Sequence, residues 1–343
     1  DRYGFLYSAG TVFDFPSGST YPILGAYQIS HAGGTGFNGG TDIAITKYDT
    51  TGTLRIYSTY LGGSKSELPH SLVVNNLDEL FVFGTTGSDD YPTTIGAYNT
   101  SWNSGIVDIA ISKFDTTGTG LIYSTYIGGD NDEVPHSLIV NSFDELFILG
   151  TTSSLNYPFT TGCYDSIFNG GVANNLTNGL GINYTNGSDI IISHISADGA
   201  SLLGSTFIGG SLNDGLNSTS SIANQNILRY NYADEIRGEI DIDQNNNIYV
   251  VSCTQSADFP IVGNVFQPNY GGGALDACVF KLDNNLENLI WSSYLGGQEH
   301  DAGYSLAIDK NQDLFITGGT SSSQFPTTLQ ALDTSYQGGR ADG

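Results

Sequence analysis

The segment Asp42-Ile-Ala-Ile-Thr-Lys-Tyr-Asp-Thr-Thr-Gly52 returns as Asp108-Ile-Ala-Ile-Ser-Lys-Phe-Asp-Thr-Thr-Gly118, a shift of 66 from Asp42 to Asp108. Looser copies begin at Asp189 and Asp276, and Asp342-Gly343 stands where a fifth begins. Self-similarity at a fixed spacing confines a chain to repeat architectures, in which each unit buries its apolar surface only against its neighbours. Two further landmarks keep step. Tyr57-Ser-Thr-Tyr-Leu-Gly-Gly63 recurs as Tyr123–Gly129, Gly204–Gly210 and Trp291–Gly297, and an aromatic residue precedes proline at Tyr21, Tyr91, Tyr157, Phe259 and Phe325.

These landmarks divide one domain, residues 1–343, into a partial unit 1–40 and units 41–106, 107–187, 188–274 and 275–340, with a next unit beginning at 341–343. The second and third full units are longer, with insertions near 172–187 and near 216–238. Insertions in repeat arrays map to surface loops, so these two are expected to carry individuality. A chain with a unit's tail at its start and a unit's head at its end is expected to be cut at both ends. The sequence has no methionine, so Asp1 is not expected to be a translation start.

Within a unit the pattern predicts four short strands, exemplified by Asp108–Phe114, Leu121–Ile127, Ser137–Val140 and Glu145–Gly150. Between them lie Asp115-Thr-Thr-Gly118, Gly128-Gly129 and Asn141-Ser-Phe-Asp144, whose Asp, Asn and Gly suit turn conformations that other residues resist. Strands joined by short turns form an antiparallel meander. A sheet with one wet face shows strict alternation. Here Ile43-Ala-Ile45, Ile190-Ile-Ile192 and Leu80-Phe-Val-Phe83 are apolar on both faces. Both faces must then be covered, and four-stranded antiparallel sheets stacked around an axis achieve this. The expected fold is all-β, a β-propeller with four-stranded blades. Each fully buried Ile or Phe contributes about 1.5–3 kcal/mol, so several per unit suffice to hold blades together.

Ten Lys and Arg against 35 Asp and Glu give a net charge of −25. Such a chain repels nucleic acid, whose binding needs clustered cations, and it repels anionic membrane surfaces. Three cysteines are too few for a disulfide framework. A Cys253–Cys278 bridge is conceivable, but small buried apolar residues are the favoured reading.

The units resemble the SBBP-type bacterial β-propeller repeat, through Asp-Ile/Ala-x-Ile/Val-x-Lys-x-Asp, then Tyr-Ser-Thr-Tyr-Leu-Gly-Gly, then Gly-Thr-Ser/Thr ahead of an aromatic-proline pair. The resemblance extends over nearly the whole chain except the insertions and residues 1–20. It implies an exported or cell-surface protein, in many Bacteroidetes members one secreted by the type IX (gliding-associated) machinery, which would make outer-membrane secretion components possible partners. It brings no catalytic set.

Candidate chemistry is sparse. His70 and His136 follow Leu68-Pro69 and Val134-Pro135 at the same place in adjacent units, so both are expected at one end of the fold, as a binding pair or as inherited structure. His194 takes the place of Lys47 and Lys113 and is read as structural. Acidic residues follow every Gly-Gly pair: Glu67, Asp130, Asp132, Glu133, Asp214, Glu299 and Asp301. Calcium takes six to eight oxygen ligands, so Asp130, Asp132, Glu133 and Asp301 are calcium candidates, against the favoured reading of solvated, turn-forming loops. Asp241-Ile-Asp-Gln-Asn-Asn-Asn247 lacks the Gly and terminal Glu of an EF-hand loop. No nucleophile elbow or phosphate-binding loop occurs, and no cofactor is expected. Among aromatic residues, Trp102 and the insertion's Tyr230 and Tyr232 are the binding candidates, whereas Tyr98 and Tyr164 align with Phe266 and Leu332 and suggest packing. The expectation is a non-enzymatic, secreted or cell-surface module for adhesion or protein/glycan interaction. A secreted polysaccharide-active enzyme and a passive spacer are the alternatives.

Overall fold

The computed structural model describes residues 1–13, 21–34, 40–175, 182–217, 237–339 and 341–343. Among these the regular elements are all β-strands. The first sheet orders β1 (Leu6–Phe13), β2 (Thr41–Tyr48) and β3 (Arg55–Leu61). The second orders β4 (Glu67–Val74), β5 (Leu80–Thr86), β6 (Asp108–Phe114) and β7 (Leu121–Ile127). The third joins β8 (Glu133–Val140), β9 (Leu146–Thr152), β12 (Asp189–Ile195) and β13 (Leu202–Ile208). The hairpin β10 (Asn174–Asn175) and β11 (Asn183–Tyr184) comes from the first insertion. The fourth sheet contains β14 (Glu239–Ile242), β15 (Ile248–Thr254), β16 (Asp276–Leu282) and β17 (Leu289–Leu295), and the fifth contains β18 (Asp301–Ile308) and β19 (Leu314–Thr320).

The sheets do not coincide with the sequence units. The strands Asp108–Phe114 and Leu121–Ile127 form where the pattern places them, but they complete the sheet begun by β4 and β5 of the preceding unit. The last two strands of that unit, β8 and β9, open the next sheet. Each sheet is therefore offset from the repeat by half a unit, which corrects the expectation of one sheet per unit. The pairing repeats rung for rung: Thr86 faces Asp108, Thr152 faces Asp189 and Thr254 faces Asp276.

Successive sheets stack through their first strands, with β4 against β8, β8 against β14 and β14 against β18. Central strands β5, β9 and β15 are buried along their whole length, as expected of sheets covered on both faces. β1 and β19, in the outermost sheets, alternate between exposed and partly buried positions. Three large apolar clusters fill the gaps between sheets; one joins Phe81, Ile109 and Tyr123 of the second sheet to Leu138, Ile148 and Ile191 of the third. Two equivalent turns, Asp115-Thr-Thr-Gly118 and Ser196-Ala-Asp-Gly199, help seal these gaps. Gly118 lies on the ring of Tyr57 in the preceding sheet, and Gly199 lies on that of Tyr123, each with φ near +70°.

Lys113 is buried between sheets and bridges Glu79 (2.8 Å) and Asp144, the latter at the β8–β9 turn of the next sheet. His194, in the corresponding place one sheet on, stacks on Phe147 and contacts Glu145 at 3.1 Å, a structural role. Cys253 and Cys278 are buried, free thiols.

Candidate functional site

The first strands of three sheets share an irregularity. Pairing in β4–β5 skips a residue between Pro69 and Ser71, in β8–β9 between Pro135 and Ser137, and in β18–β19 between Gly303 and Ser305. The skipped residues are His70, His136 and Tyr304. A bulge leaves one residue outside the ladder and re-aims its side chain, so the same device projects one polar ring from each of three first strands.

His70 is solvent-exposed on its strand. Burial pushes His136 down to about 3, and nearby His70 lowers it further. The His136 imidazole is therefore neutral at physiological pH and offers one donor and one acceptor. His136 Nε2 lies 3.4 Å from Thr151 Oγ1, while its Nδ1 is buried without a hydrogen-bond partner. Gly238 leaves the space beside that nitrogen: a Cβ there would come within 3.3 Å of Nδ1. Arg237, just before β14, sits 5.6 Å from the centroid of the Tyr304 ring. The cluster combines hydrogen-bonding rings, an aromatic face and one cation in a strongly acidic molecule.

The first insertion reaches this region. Ile182 and Tyr184 are fully buried with Val107, Val134 and Leu216, and Tyr184 Oη is 2.7 Å from Thr151 Oγ1. A segment expected as a surface loop is thus partly core, because its two apolar side chains find a gap beside the third sheet. Tyr304 and Tyr184 are missed by sequence reasoning. The first has its signal in the alignment of Asp301 with Glu133, which puts Tyr304 in the place of His136.

The other sequence candidates fall elsewhere. Tyr230, Tyr232 and most of the insertion 216–238 lie outside the described residues. Trp102 is half-buried against the cluster containing Ile43 and Tyr57, with Lys65 Nζ 4.3 Å from its ring centroid. Tyr98 and Tyr164 pack against the clusters between sheets, while Phe266 and Leu332 are exposed.

The acidic loops require correction. Asp130 is exposed, but Glu67, Glu133, Asp214 and Asp301 are fully buried and Asp132 nearly so. These five are not solvated, whereas Glu299, like Asp130, is exposed. The Gly-Gly turn is short and folds each acid back under the next sheet. There Glu133 accepts from Thr152 Oγ1 (2.5 Å) and the Gly129 amide (2.9 Å). Asp301 accepts from Ser322 Oγ and the Gly297 amide, both at 2.7 Å. Asp132 takes the amides of Ile106 and Asn183, both at 2.6 Å. These carboxyls are met by N–H and O–H donors. Among the described residues no three His, Cys, Asp or Glu side chains gather as a metal site.

No curated protein matches the chain. Among solved structures it is similar to the extracellular domain of a one-component system from B. thetaiotaomicron, at 11% identity and a TM-score of 0.21, too low to carry an argument. That match covers 81% of this chain, which spans 37% of the other. Residues 290–326 match the family model described as SBBP, beta-propeller repeat. That stretch holds the landmarks Trp291–Gly297 and Phe325-Pro326, and over it the chain is similar to the SBBP β-propeller repeat.

Proposed function

We propose that the chain is a secreted or cell-surface β-propeller module that binds a protein or a glycan without transforming it. The blade reading is supported by the family match at 290–326 and by sheets that stack through their first strands. The observation that carries the binding reading is the bulge repeated at one rung of β4, β8 and β18, which sets out His70, His136 and Tyr304 on the second, third and fifth sheets. Imidazoles and a tyrosine ring suit hydroxyl-rich or amide-rich partners, which offer hydrogen bonds and stacking faces.

The test is a glycan array together with affinity capture from the native cells. It compares the wild-type chain with His70→Ala, His136→Ala and Tyr304→Ala. Selective binding that weakens at least tenfold in two of the three variants supports the reading. Binding unchanged in all three moves the contact surface away from these rings. Cleavage of a bound glycan makes the chain an enzyme and refutes the proposal.

A further inference from the structure

Four junctions join the five sheets, and each contains a pair of buried carboxyls from the two sheets it unites. Asp42 of β2 meets Glu67 of β4, and Asp108 of β6 meets Glu133 of β8. Asp189 of β12 meets Asp214, and Asp276 of β16 meets Asp301 of β18. All eight residues are fully buried. The first glycine of the intervening Gly-Gly turn marks the meeting point. A Cβ on Gly62 or Gly128 would lie 2.6 Å from an oxygen of each partner, and one on Gly209 would lie 2.6 Å from Asp189 Oδ1 and 3.0 Å from Asp214 Oδ2. Two negative charges so close in a dry space are strongly disfavoured.

The two arms of a pair are built differently. The acid opening the next sheet collects donors: Glu67 takes the hydroxyls of Thr86 and Ser88 and the Gly63 amide. Asp214 takes Ser256 Oγ and the Gly210 amide. These donors favour an ionised carboxylate. The aspartate arm is supplied by backbone amides: Asn103 to Asp108 Oδ2 (2.8 Å), Asn169 to Asp189 Oδ2 (2.6 Å) and Gly271 to Asp276 Oδ2 (2.5 Å). The Oδ1 atoms of Asp108 and Asp276 are buried with no partner beside the acid across the junction, as is Asp301 Oδ1; in the Asp189/Asp214 pair the partnerless oxygen is Asp214 Oδ1, since Asp189 Oδ1 accepts the Gly170 amide. A proton there would satisfy both.

The remaining titratable groups around the pairs do not supply a positive charge. Asp132 and Tyr126 lie near Asp108, Tyr157 near Glu133, Asp165 near Asp189, Tyr270, Tyr294 and Cys278 near Asp214, and Tyr270 near Asp276 and Asp301. Among the described residues the one basic side chain recorded against any of the eight is His31, 3.7 Å from Asp42, so the first junction stands apart. Burial is the leading cause that pushes Asp108, Asp189 and Asp276 each up to about 7, and it raises Glu133 and Asp214 as well.

We propose that the three junctions Asp108/Glu133, Asp189/Asp214 and Asp276/Asp301 are each closed by a carboxylic acid–carboxylate pair sharing one proton, which makes the stacking of the sheets a pH-sensitive lock. The folded state holds three protons that the unfolded chain releases once its carboxyls ionise. Stability from the lock is complete below the ordinary carboxylate range. It is lost progressively as pH rises to neutrality, and no further loss occurs above it.

The experiment uses the full chain with Asp108→Asn, Asp276→Asn and the double variant, whose amide N–H replaces the shared proton. Urea unfolding is measured from about pH 5 to about pH 8, and infrared spectra are recorded for protonated carboxyls. The wild-type midpoint is expected to fall across this range. Each Asn variant should flatten the fall, the double variant more so, and each should remove one protonated-carboxyl band present near neutral pH. Glu133→Gln, which turns an amide toward existing donors, should destabilise at every pH. An unchanged pH slope in the Asn variants overturns the proposal. So does the absence of protonated carboxyls in the wild type near neutrality, which can be read even if a variant fails to fold. Stabilisation by added calcium with reversal by EDTA also overturns it, since a cation would then hold the pair.

Discussion

Gly52 and Gly118 close the same Asp-Thr-Thr-Gly turn with the same backbone, φ +70° and +71°, in different surroundings. A Cβ on Gly52 meets nothing within 4 Å, whereas one on Gly118 lands 2.4–2.6 Å from the ring carbons of Tyr57. Tyr57 is buried and belongs to the cluster packed between the first and second sheets, so its ring has little room to retreat. Gly52→Ala should therefore cost only the left-handed backbone term, about 1–2 kcal/mol. Gly118→Ala should add an overpacking term of about 1–3 kcal/mol, for a total of about 2–5 kcal/mol. Gly199, whose Cβ would meet the Tyr123 ring equally closely at the next junction, should behave like Gly118. Urea unfolding of the three variants of the full chain gives the comparison directly. Equal losses for Gly52→Ala and Gly118→Ala would refute the reasoning, because the turn would then contribute nothing to the contact between sheets.

Other outcomes follow from particular contacts. Lys113→Met leaves Glu79 and Asp144 facing each other without their buried cation and should cost about 3–5 kcal/mol in the same assay; adding Asp144→Asn should recover part of it. Tyr126 Oη donates to the Ser88 carbonyl at 2.8 Å, and Tyr294 Oη to the Ser256 carbonyl at 2.9 Å, so Tyr→Phe at either position should cost about 1–2 kcal/mol and loosen one junction in hydrogen exchange. A thiol reagent applied to the native chain should modify Cys163, which is partly exposed, well before buried Cys253 and Cys278; simultaneous reaction of all three would contradict the burial. The proton lock predicts a wild-type stability that falls by about 1.4 kcal/mol per pH unit per junction between the ordinary aspartate value and about 7, the sign expected when the folded-state pKa is raised.

The sequence by itself determined the repeat, its landmarks, and the local form of most strands and turns. Asp108–Phe114 and Leu121–Ile127 follow from apolar periodicity bounded by Asp and Gly, and these signals act over a few residues. It also exposed the paired His70 and His136, since equivalent places in a repeat are legible without a structure. Which strands share a sheet was decided only in three dimensions. Residues 62–66 are a short link between strands that lie in different sheets, while residues 87–107 are a long link between β5 and β6, which pair along their length. Loop length favours the opposite assignment, and it is overruled because the Gly-Gly turn carries the chain under the next sheet instead of back along its own. The same step explains the acids. In the sequence Glu67, Glu133 and Asp301 stand beside glycine in what reads as a wet turn. Burial and the partner carboxyl arrive from residues some 25 positions upstream, at Asp42, Asp108 and Asp276. Charge, hydrogen bonding and ionisation at a junction depend on what the neighbouring sheet brings, and that is a property of packing that no single unit encodes.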